Sequence, residues 1–433
     1  MTLSGFPRLL VCLLTLAGPL AASGQPPGAP PPGPLRLFVD CANAWCDLDY
    51  VRSEVTFVNH VRNREDADVH VLVTAESTGG GGTAYTTQFI GLGRFAAVEH
   101  TLVFNSSPTD TEDAIRASLV RTLKLGLMRY VADTAAARDI VITHRRPVAA
   151  AKTASQGEND PWDFWVFRTS LRGSSNGESS QNSSSFSGSF SGNRVTEGWK
   201  ITNGVSGSYS RSRYTFSEGD TYRTSRTSWS ASTLAVKSTG PRWGAGGRAS
   251  ASGSSYLNQD ANVRVAPAVE WNLYPYKEST RRQLTFNYAV GLNHYRYKEE
   301  TIFGKFRETL LDHALIASLD LRQPWGSTST SFQVSQYLND RSKHSLMLDQ
   351  SLDARLFKGF SLSVFGYVTR VRNQLYLPRG EATTEEILVR RRQLATSYQY
   401  YISIGFSYSF GSIYNNVVNT RFQGSSGGMV YYY

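Results

Sequence analysis

The chain has no hydrophobic segment long enough to cross a bilayer as a helix. Its longest apolar run, from Leu9 to Leu20, is about a dozen residues, whereas a spanning helix needs about 20. The mean hydropathy is −0.32, and 40% of the residues are hydrophobic. These values exclude a bundle of membrane helices.

Cysteine is scarce, with three residues in 433. Cys12 lies inside the N-terminal apolar run, so Cys41 and Cys46 are the two that the remainder of the chain contains. A structural zinc site needs four ligands, and no second Cys or His pair lies nearby. We therefore predict no metal and no cofactor. An oxidising compartment favours a disulfide between Cys41 and Cys46, and the alternative is a pair of free buried thiols.

The N-terminus predicts export. Arg8 precedes the apolar run, and the small residues Ala21 to Gly24 suit cleavage, so residues 1–24 are interpreted as a signal peptide. Residues 25–34 are rich in Pro and Gly and predict an extended linker.

The formal charge of +10 does not point to nucleic acid. The basic residues are scattered arginines and form no clustered stripe, and export removes the chain from cellular nucleic acid. Anionic lipopolysaccharide or an anionic solute is the expected counterpart of this charge.

Aromatic residues and period-two alternation are abundant. The chain has 23 Tyr and 21 Phe, and its second half is crowded with Ser, Gly and Thr. Alternating segments there run to ten residues or more, whereas soluble strands centre on about five or six. A transmembrane strand needs about 9–11 residues with aromatic ends. The pattern predicts a transmembrane β-barrel over residues 161–422, and its last strand alternates Tyr398, Tyr400, Ile402, Ile404, Phe406, Tyr408 and Phe410 with mostly small or polar residues.

About twelve antiparallel strands fit this region. Tight turns at 196–198, 238–241, 324–326 and 357–359 alternate with longer connections such as 298–305 and 375–392, as in outer-membrane barrels with short periplasmic turns. An even count returns the C-terminus to the periplasm. The predicted strands are 163–174, 183–194, 199–215, 222–237, 242–256, 261–274, 282–297, 308–323, 327–338, 344–356, 360–373 and 394–411.

Residues 35–148 predict a small α/β domain in the order β-α-β-β-β-α, followed by a linker over 149–160. Its sheet would be covered on one face by two helices. Asp47 is placed to cap the first helix, and Thr109–Glu112 resembles the start of the second. The predicted elements are strand 35–40, helix 48–63, strands 67–75, 85–92 and 100–105, and a helix from about 112 to 130.

This element order resembles the N-terminal domain of TolB and the periplasmic core of CsgG-like secretion proteins. The second half resembles a family of uncharacterised Gram-negative outer-membrane barrels. The resemblances imply a mostly β protein with a periplasmic interaction domain, and a periplasmic protein partner is a further candidate. The aromatic last strand looks like the end segment that the barrel assembly machinery reads. That machinery usually expects a final Phe or Trp, whereas here a tail, 423–433, follows.

Twelve strands lie between the eight that leave a filled interior and the sixteen that leave an aqueous channel. Two interpretations of the charged inward residues are open. They form a constriction that selects small anionic solutes in a porin-like channel or binding barrel, or they are ion pairs that brace a filled lumen. The inward residues are Arg168, Arg172, Arg264, Glu270, Asp320, Arg322, Asp353 and Arg355.

The long loop 375–394 mixes acids with Arg390 to Arg392. Three interpretations are open: it folds inward as a plug, it extends the two flanking strands beyond the membrane and contacts lipopolysaccharide phosphates, or it is a solvated surface.

We predict no catalytic residues and no enzymatic activity. Some twelve-stranded outer-membrane barrels are phospholipases, but their His-x-Ser-Asn arrangement is absent, and neither His294 nor His313 has a nucleophile at a recognisable spacing. The first alternative to a channel is a membrane anchor that presents the periplasmic domain. An outer-membrane lipid hydrolase is a second alternative, ranked below the anchor.

Overall fold

The computed structural model describes residues 34–132, 134–142, 160–215, 221–380, 396–419 and 421. The predicted signal peptide, nearly all of the 149–160 linker, much of the 375–394 loop and the 423–433 tail lie outside these residues. The described residues form a small α/β domain followed by a large antiparallel sheet.

The α/β domain is built on a five-stranded mixed sheet of order β2-β1-β3-β4-β5. β1 runs parallel to β2 and β3, and β3, β4 and β5 are antiparallel neighbours. The Asp47 side chain accepts from the Tyr50 amide and caps α1, and Thr111 caps α2 in the same way. The elements are β1 (Arg36–Cys41), α1 (Leu48–Glu54), β2 (Asn59–His60), β3 (Val69–Ser77), β4 (Thr83–Gly91), β5 (Glu99–Ser106) and α2 (Glu112–Val131).

The predicted helix over 48–63 is wrong in its second half. α1 ends at Glu54, and Asn59–His60 instead forms β2, which pairs in parallel with β1. Val55, Val58 and Val61 are buried at a helical spacing, but β-branched side chains favour extended chain over helix. The open edge of β1 supplies the backbone partners that decide between the two structures, so the order is β-α-β-β-β-β-α.

The two faces of the small sheet have different partners. The core lies between the helices and the face that carries Leu37, Val69 and Val71. Phe38, Asp40 and His70 alternate to the other face, where the Phe38 and His70 rings lie 5.2 Å apart. The Tyr130 hydroxyl donates to the Val98 carbonyl at 2.8 Å, and burial raises the pKa of Tyr130 to about 12.

The second sheet has twelve strands, each antiparallel to the next in chain order, which confirms the predicted fold class. We call it the barrel sheet. Its two edges are β6 and β17, and no ladder within the described ranges joins them. The strands are β6 (Trp165–Gly177), β7 (Gln181–Val195), β8 (Trp199–Thr215), β9 (Thr221–Ser238), β10 (Trp243–Ser254), β11 (Gln259–Asn272), β12 (Arg282–Tyr297), β13 (Arg307–Gln323), β14 (Gly326–Tyr337), β15 (His344–Phe357), β16 (Phe360–Val371) and β17 (Tyr398–Tyr408).

The tight turns lie where predicted, all at one end of the barrel sheet, which we call the short-turn end. At 358–359 the φ of Gly359 is +75°, a conformation that favours glycine, so β15 and β16 can join in two residues. The opposite, long-loop end carries the connections 298–306 and 372–397, but also the brief 178–180 and 255–258. The short-turn end in turn carries one longer connection, 273–281, between β11 and β12. The predicted asymmetry therefore holds from β12 onward and not before it.

Candidate functional site

One face of the barrel sheet is apolar and exposed. Residues directly opposite each other on paired strands share a face, and alternate residues point the same way. Leu171 at one edge is 71% exposed and Phe406 at the other edge 68%. We call this the outward face; its members include Phe167, Phe190, Val205, Val265, Val269, Phe286, Leu292, Leu315, Phe332, Leu348, Val368, Ile402 and Ile404.

Tryptophans collect on the outward face at the short-turn end. The Trp243 and Trp271 ring centroids lie 6.3 Å apart, and Trp271 stacks on Phe286 at 5.7 Å. Trp165 and Trp199 occupy the corresponding positions on β6 and β8. Amphipathic rings of this kind gather where a hydrocarbon layer meets water. The outward face therefore has the composition of a lipid-facing surface with one aromatic border.

The opposite, inward face of β6 to β10 is lined by serines, which we call the serine wall. Ser206 and Ser230 are hydrogen-bonded across β8 and β9 at 2.8 Å, and so are Ser208 and Ser228. Ser183 and Ser212 bond at 2.9 Å across β7 and β8. The sequence does not predict this arrangement, because serine content alone does not tell which hydroxyls face each other.

The inward face of β11 to β14 carries a polar network. Arg264 on β11 reaches past β12 to Asp312 on β13, with contacts of 2.8 and 3.1 Å. The two side chains pass over Gly291, where a Cβ would lie 2.3 Å from the Asp312 carboxylate. Side chains two strands apart meet only where the sheet curves toward them, so the polar face is the concave one.

Three tyrosines belong to the same network. The hydroxyls of Tyr295 and Tyr337 lie 2.8 Å apart, and Tyr297 donates to Glu308 at 2.7 Å. Sequence reasoning missed Asp312 and these tyrosines. Asp312 could have been found from its position, because it lies an even number of residues from Asp320 and Arg322 on β13 and therefore shares their face.

The predicted inward residues all lie on the concave face, but they do not converge on one another. Arg264 pairs with Asp312, and Arg355 pairs with Asp40 of the α/β domain. Glu270 accepts from the Tyr276 hydroxyl at 2.7 Å.

The remaining predicted residues divide into two groups. Arg322 donates to the carbonyl of Thr280 at 3.2 Å. In the described part of the chain no ion pair or hydrogen bond is found for the side chains of Arg168, Arg172, Asp320 and Asp353. A charged constriction stays a prediction.

The α/β domain contacts the short-turn end through a charged pair. The Arg355 guanidinium donates to both oxygens of Asp40 at 2.7 Å and lies 5.3 Å from the Phe38 ring. Asp40 is only 7% exposed. Beside this pair, Lys358 donates to Asp66 at 2.6 Å.

A buried histidine lies behind the Asp40 carboxylate. His70 is fully buried, with its Nε2 3.5 Å from Asp40 Oδ2. Burial lowers the pKa of His70, and the neighbouring Asp40 only partly offsets this. Burial acts to raise the pKa of Asp40, but the nearby His70 ring and the hydrogen bonds from Arg355 outweigh it and hold that pKa below its ordinary value. At neutral pH the arrangement is therefore a carboxylate between an arginine and an uncharged imidazole.

The segment after β17, residues 413–416, adds to the edge of the small sheet; we call it the strap. The Arg62 amide donates to the Ile413 carbonyl at 2.9 Å, and the Asn415 amide donates to the His60 carbonyl at 2.8 Å. The Asn416 side chain accepts from the His60 amide at 2.5 Å. The strap thus joins the last barrel strand to the α/β domain by backbone pairing.

A cleft of about 380 Å³ lies where the domain meets the short-turn end. Asp40, Cys41 and Ala42 form one side, and Ser327, Asp353 and Ser363 lie on the other. The predicted Cys41–Cys46 disulfide is present and closes a loop in which Trp45 is 52% exposed.

Within the described ranges, no group of three or more His, Cys, Asp or Glu side chains is arranged to hold a metal ion. Among the same residues, no helix has both the length and the apolarity needed to cross a membrane.

Comparison with known proteins gives little. No protein-family model matches the chain, and no curated protein matches it. Among solved structures, the chain is similar to the translocator domain of the autotransporter NalP from Neisseria meningitidis, with 11% identity over 57% of this chain and 82% of that chain. The TM-score is 0.20, and we draw no conclusion about this chain from so low a similarity. The resemblance to TolB and CsgG-like domains stays a prediction.

Proposed function

We propose that the protein is an outer-membrane β-barrel whose polar interior admits or binds small polar solutes and whose α/β domain caps the periplasmic mouth. The observation that carries this is the two-faced barrel sheet, with an exposed apolar outward face and a serine-rich, charged inward face. Hydrocarbon is the environment in which such an outward face is favourable. Backbone groups in hydrocarbon need internal partners, so the proposal includes pairing of β6 with β17 to close the barrel.

The interior favours polar, hydrated cargo over lipid. Hydroxyls of the serine wall exchange hydrogen bonds with water or with a polar solute at little cost. Arg168 and Arg172, for which no partner is found among the described residues, are the groups that would favour anions at this wall. We propose small solutes, because the polar network around Arg264 and Tyr337 fills the opposite side of the interior.

The attachment points of the α/β domain support its proposed role as a cap. It contacts the β15–β16 turn through Arg355 and Lys358, and the strap joins it to the end of β17. A virtual Cβ on Gly79 would lie 2.5 Å from Val195, so the domain also reaches the β7–β8 turn. Contacts on both sides of the sheet support a domain that lies across the mouth.

Planar-bilayer conductance of the refolded full chain tests the proposal. We expect small steps from the native chain and larger or more frequent steps from a variant with Asp40→Ala and Asp66→Ala, which removes both interdomain ion pairs. Arg168→Gln with Arg172→Gln should shift the reversal potential toward cations without blocking conductance. Silence of the native chain and of the uncapped variant would contradict a conduit.

A membrane anchor for the α/β domain is the second candidate. The observation in its favour is Trp45, an exposed aromatic on a disulfide-closed loop, since tryptophan is enriched at protein interfaces. In this case the barrel would show no conductance in planar bilayers. A periplasmic protein that co-purifies with the native chain would no longer co-purify with the Trp45→Ala variant. We propose no enzymatic role in either case.

A further inference from the structure

A set of arginines lies on the outward face at the long-loop end, and we call it the arginine belt. The pairing register places each of them on the same face as the apolar residues. All are exposed. Its members are Arg211 and Arg213 on β8, Arg223 on β9, Arg296 on β12, Arg307 on β13 and Arg370 on β16.

The belt begins where the apolar surface stops. On β8 the outward residues from Trp199 to Tyr209 are uncharged, and Arg211 follows immediately. Ten residue steps of about 3.3 Å, tilted by about 40°, correspond to a height of about 25 Å. This equals the apolar band of an outer-membrane barrel. Arg211 and Arg213 therefore lie at the level of lipid headgroups, opposite the tryptophans of the short-turn end.

The belt places like charges directly against each other. Arg213 is opposite Arg223, and Arg296 is opposite Arg307. Directly opposed like charges destabilise a sheet pair unless an anion lies between them. In the part of the chain that the structure describes, Arg296 is the only belt member with an acidic partner, Asp260. For the guanidinium groups of the other five, no ion pair or hydrogen bond is found among the described residues.

Outward cations at the short-turn end are arranged differently. Arg194 pairs with Asp163 at 2.7 Å, and Arg282 pairs with Glu278 at 2.5 Å. Lys237 lies 5.9 Å from the Trp199 ring. Among the described residues, these three outward cations of the short-turn end thus have partners, whereas five of the six belt arginines have none.

We propose that the arginine belt binds the phosphate groups of lipopolysaccharide in the outer leaflet. Guanidinium groups take phosphate oxygens in bidentate fashion, and one phosphate between Arg213 and Arg223 removes their mutual repulsion. The lipid source is favoured over a free anion because the belt adjoins the apolar surface on which acyl chains would lie. The inference rests on the proposed function for the orientation of the sheet.

The test is binding of bisphosphorylated lipid A to the detergent-solubilised full chain. Arg213→Gln with Arg223→Gln should weaken binding about ten-fold or more, since two charge-assisted contacts are lost. The matched control, Arg194→Gln with Lys237→Gln, removes two outward cations from the short-turn end and should leave binding within about two-fold. Folding of both variants is checked by the resistance of the barrel to unfolding in dodecyl sulfate.

Equal affinities of the two variants would overturn the inference. Full competition by millimolar inorganic phosphate would also overturn it, because the site would then be one for free anions. Flotation with vesicles separately tests insertion. If the chain inserts but the belt variant binds lipid A as tightly as the native chain, only the inference about the arginine belt is contradicted. If the chain binds lipid A but never inserts into vesicles, the proposed function is contradicted.

Discussion

The ion pair between Asp40 and Arg355 should determine how firmly the α/β domain is held at the short-turn end. Both Arg355–Asp40 contacts measure 2.7 Å, and Asp40 is 7% exposed, whereas the Arg355 side chain is 36% exposed. Removing one partner of a fully buried pair costs about 2–5 kcal/mol. Because Arg355 is partly hydrated, the lower limit applies to Asp40→Ala. A loss of about 2 kcal/mol corresponds to about a 30-fold shift of the docking equilibrium.

Hydrogen exchange measures this shift directly. The Arg62 and Asn415 amides, which bond between strap and domain, should exchange about 30-fold faster in Asp40→Ala. Asp353→Ala is the control, because this exposed carboxylate lies two residues from Arg355 and the described part of the chain supplies no ion pair or hydrogen bond to it. In a double-mutant cycle with Arg355→Met, most of the free energy lost in Asp40→Ala should appear as interaction energy between the two residues. Equal exchange in Asp40→Ala and Asp353→Ala would refute the assigned role of the pair.

Three further predictions follow from burial and from the faces of the sheet. Ile404→Lys, on the outward face near the middle of β17, should destabilise the folded barrel by about 2–4 kcal/mol, and Ser403→Lys, on the inward face, by much less. Urea unfolding in lipid vesicles measures both losses, and equal losses in the two variants would contradict the assignment of faces. The α/β domain should lose stability as pH falls below about 6.5, because the lowered pKa of His70 means that the unfolded state takes up a proton first; urea titrations of the full chain from pH 7 to 5 should show a slope that His70→Gln reduces. Reduction of Cys41–Cys46 should cost at most about 2 kcal/mol, since the closed loop is short; thermal melts with and without reductant measure it, and a larger loss would contradict a local role.

Local alternation was sufficient to predict the barrel sheet. The β12 strand was predicted with its observed bounds, 282–297, because apolar and polar residues alternate cleanly along it. Its even-numbered residues, such as Phe286 and Leu292, could be assigned to the outward face without knowledge of any neighbour. The helix predicted over 48–63 failed in its second half because its valines have a helical spacing, whereas pairing of Asn59–His60 with β1, which no local pattern shows, keeps that segment extended.

The contacts between elements were not predictable. Asp40 and Arg355 are 315 residues apart, and no local pattern relates them. The strap could not be foreseen either, because 413–416 has no strand alternation of its own and becomes extended only against the open edge of β2. The Arg264–Asp312 pair depends on the register of three strands, which turn lengths and packing determine together.

The central claim is that alternate residues of the barrel sheet face hydrocarbon. Single cysteines along 398–408, in a chain with Cys41 and Cys46 still paired, can carry a spin label in reconstituted vesicles. Accessibility to oxygen, which partitions into lipid, should peak at Tyr400, Ile402, Ile404 and Phe406, and accessibility to a water-soluble nickel chelate should peak at the residues between them. Uniform accessibility to the nickel chelate along the whole strand would contradict the account.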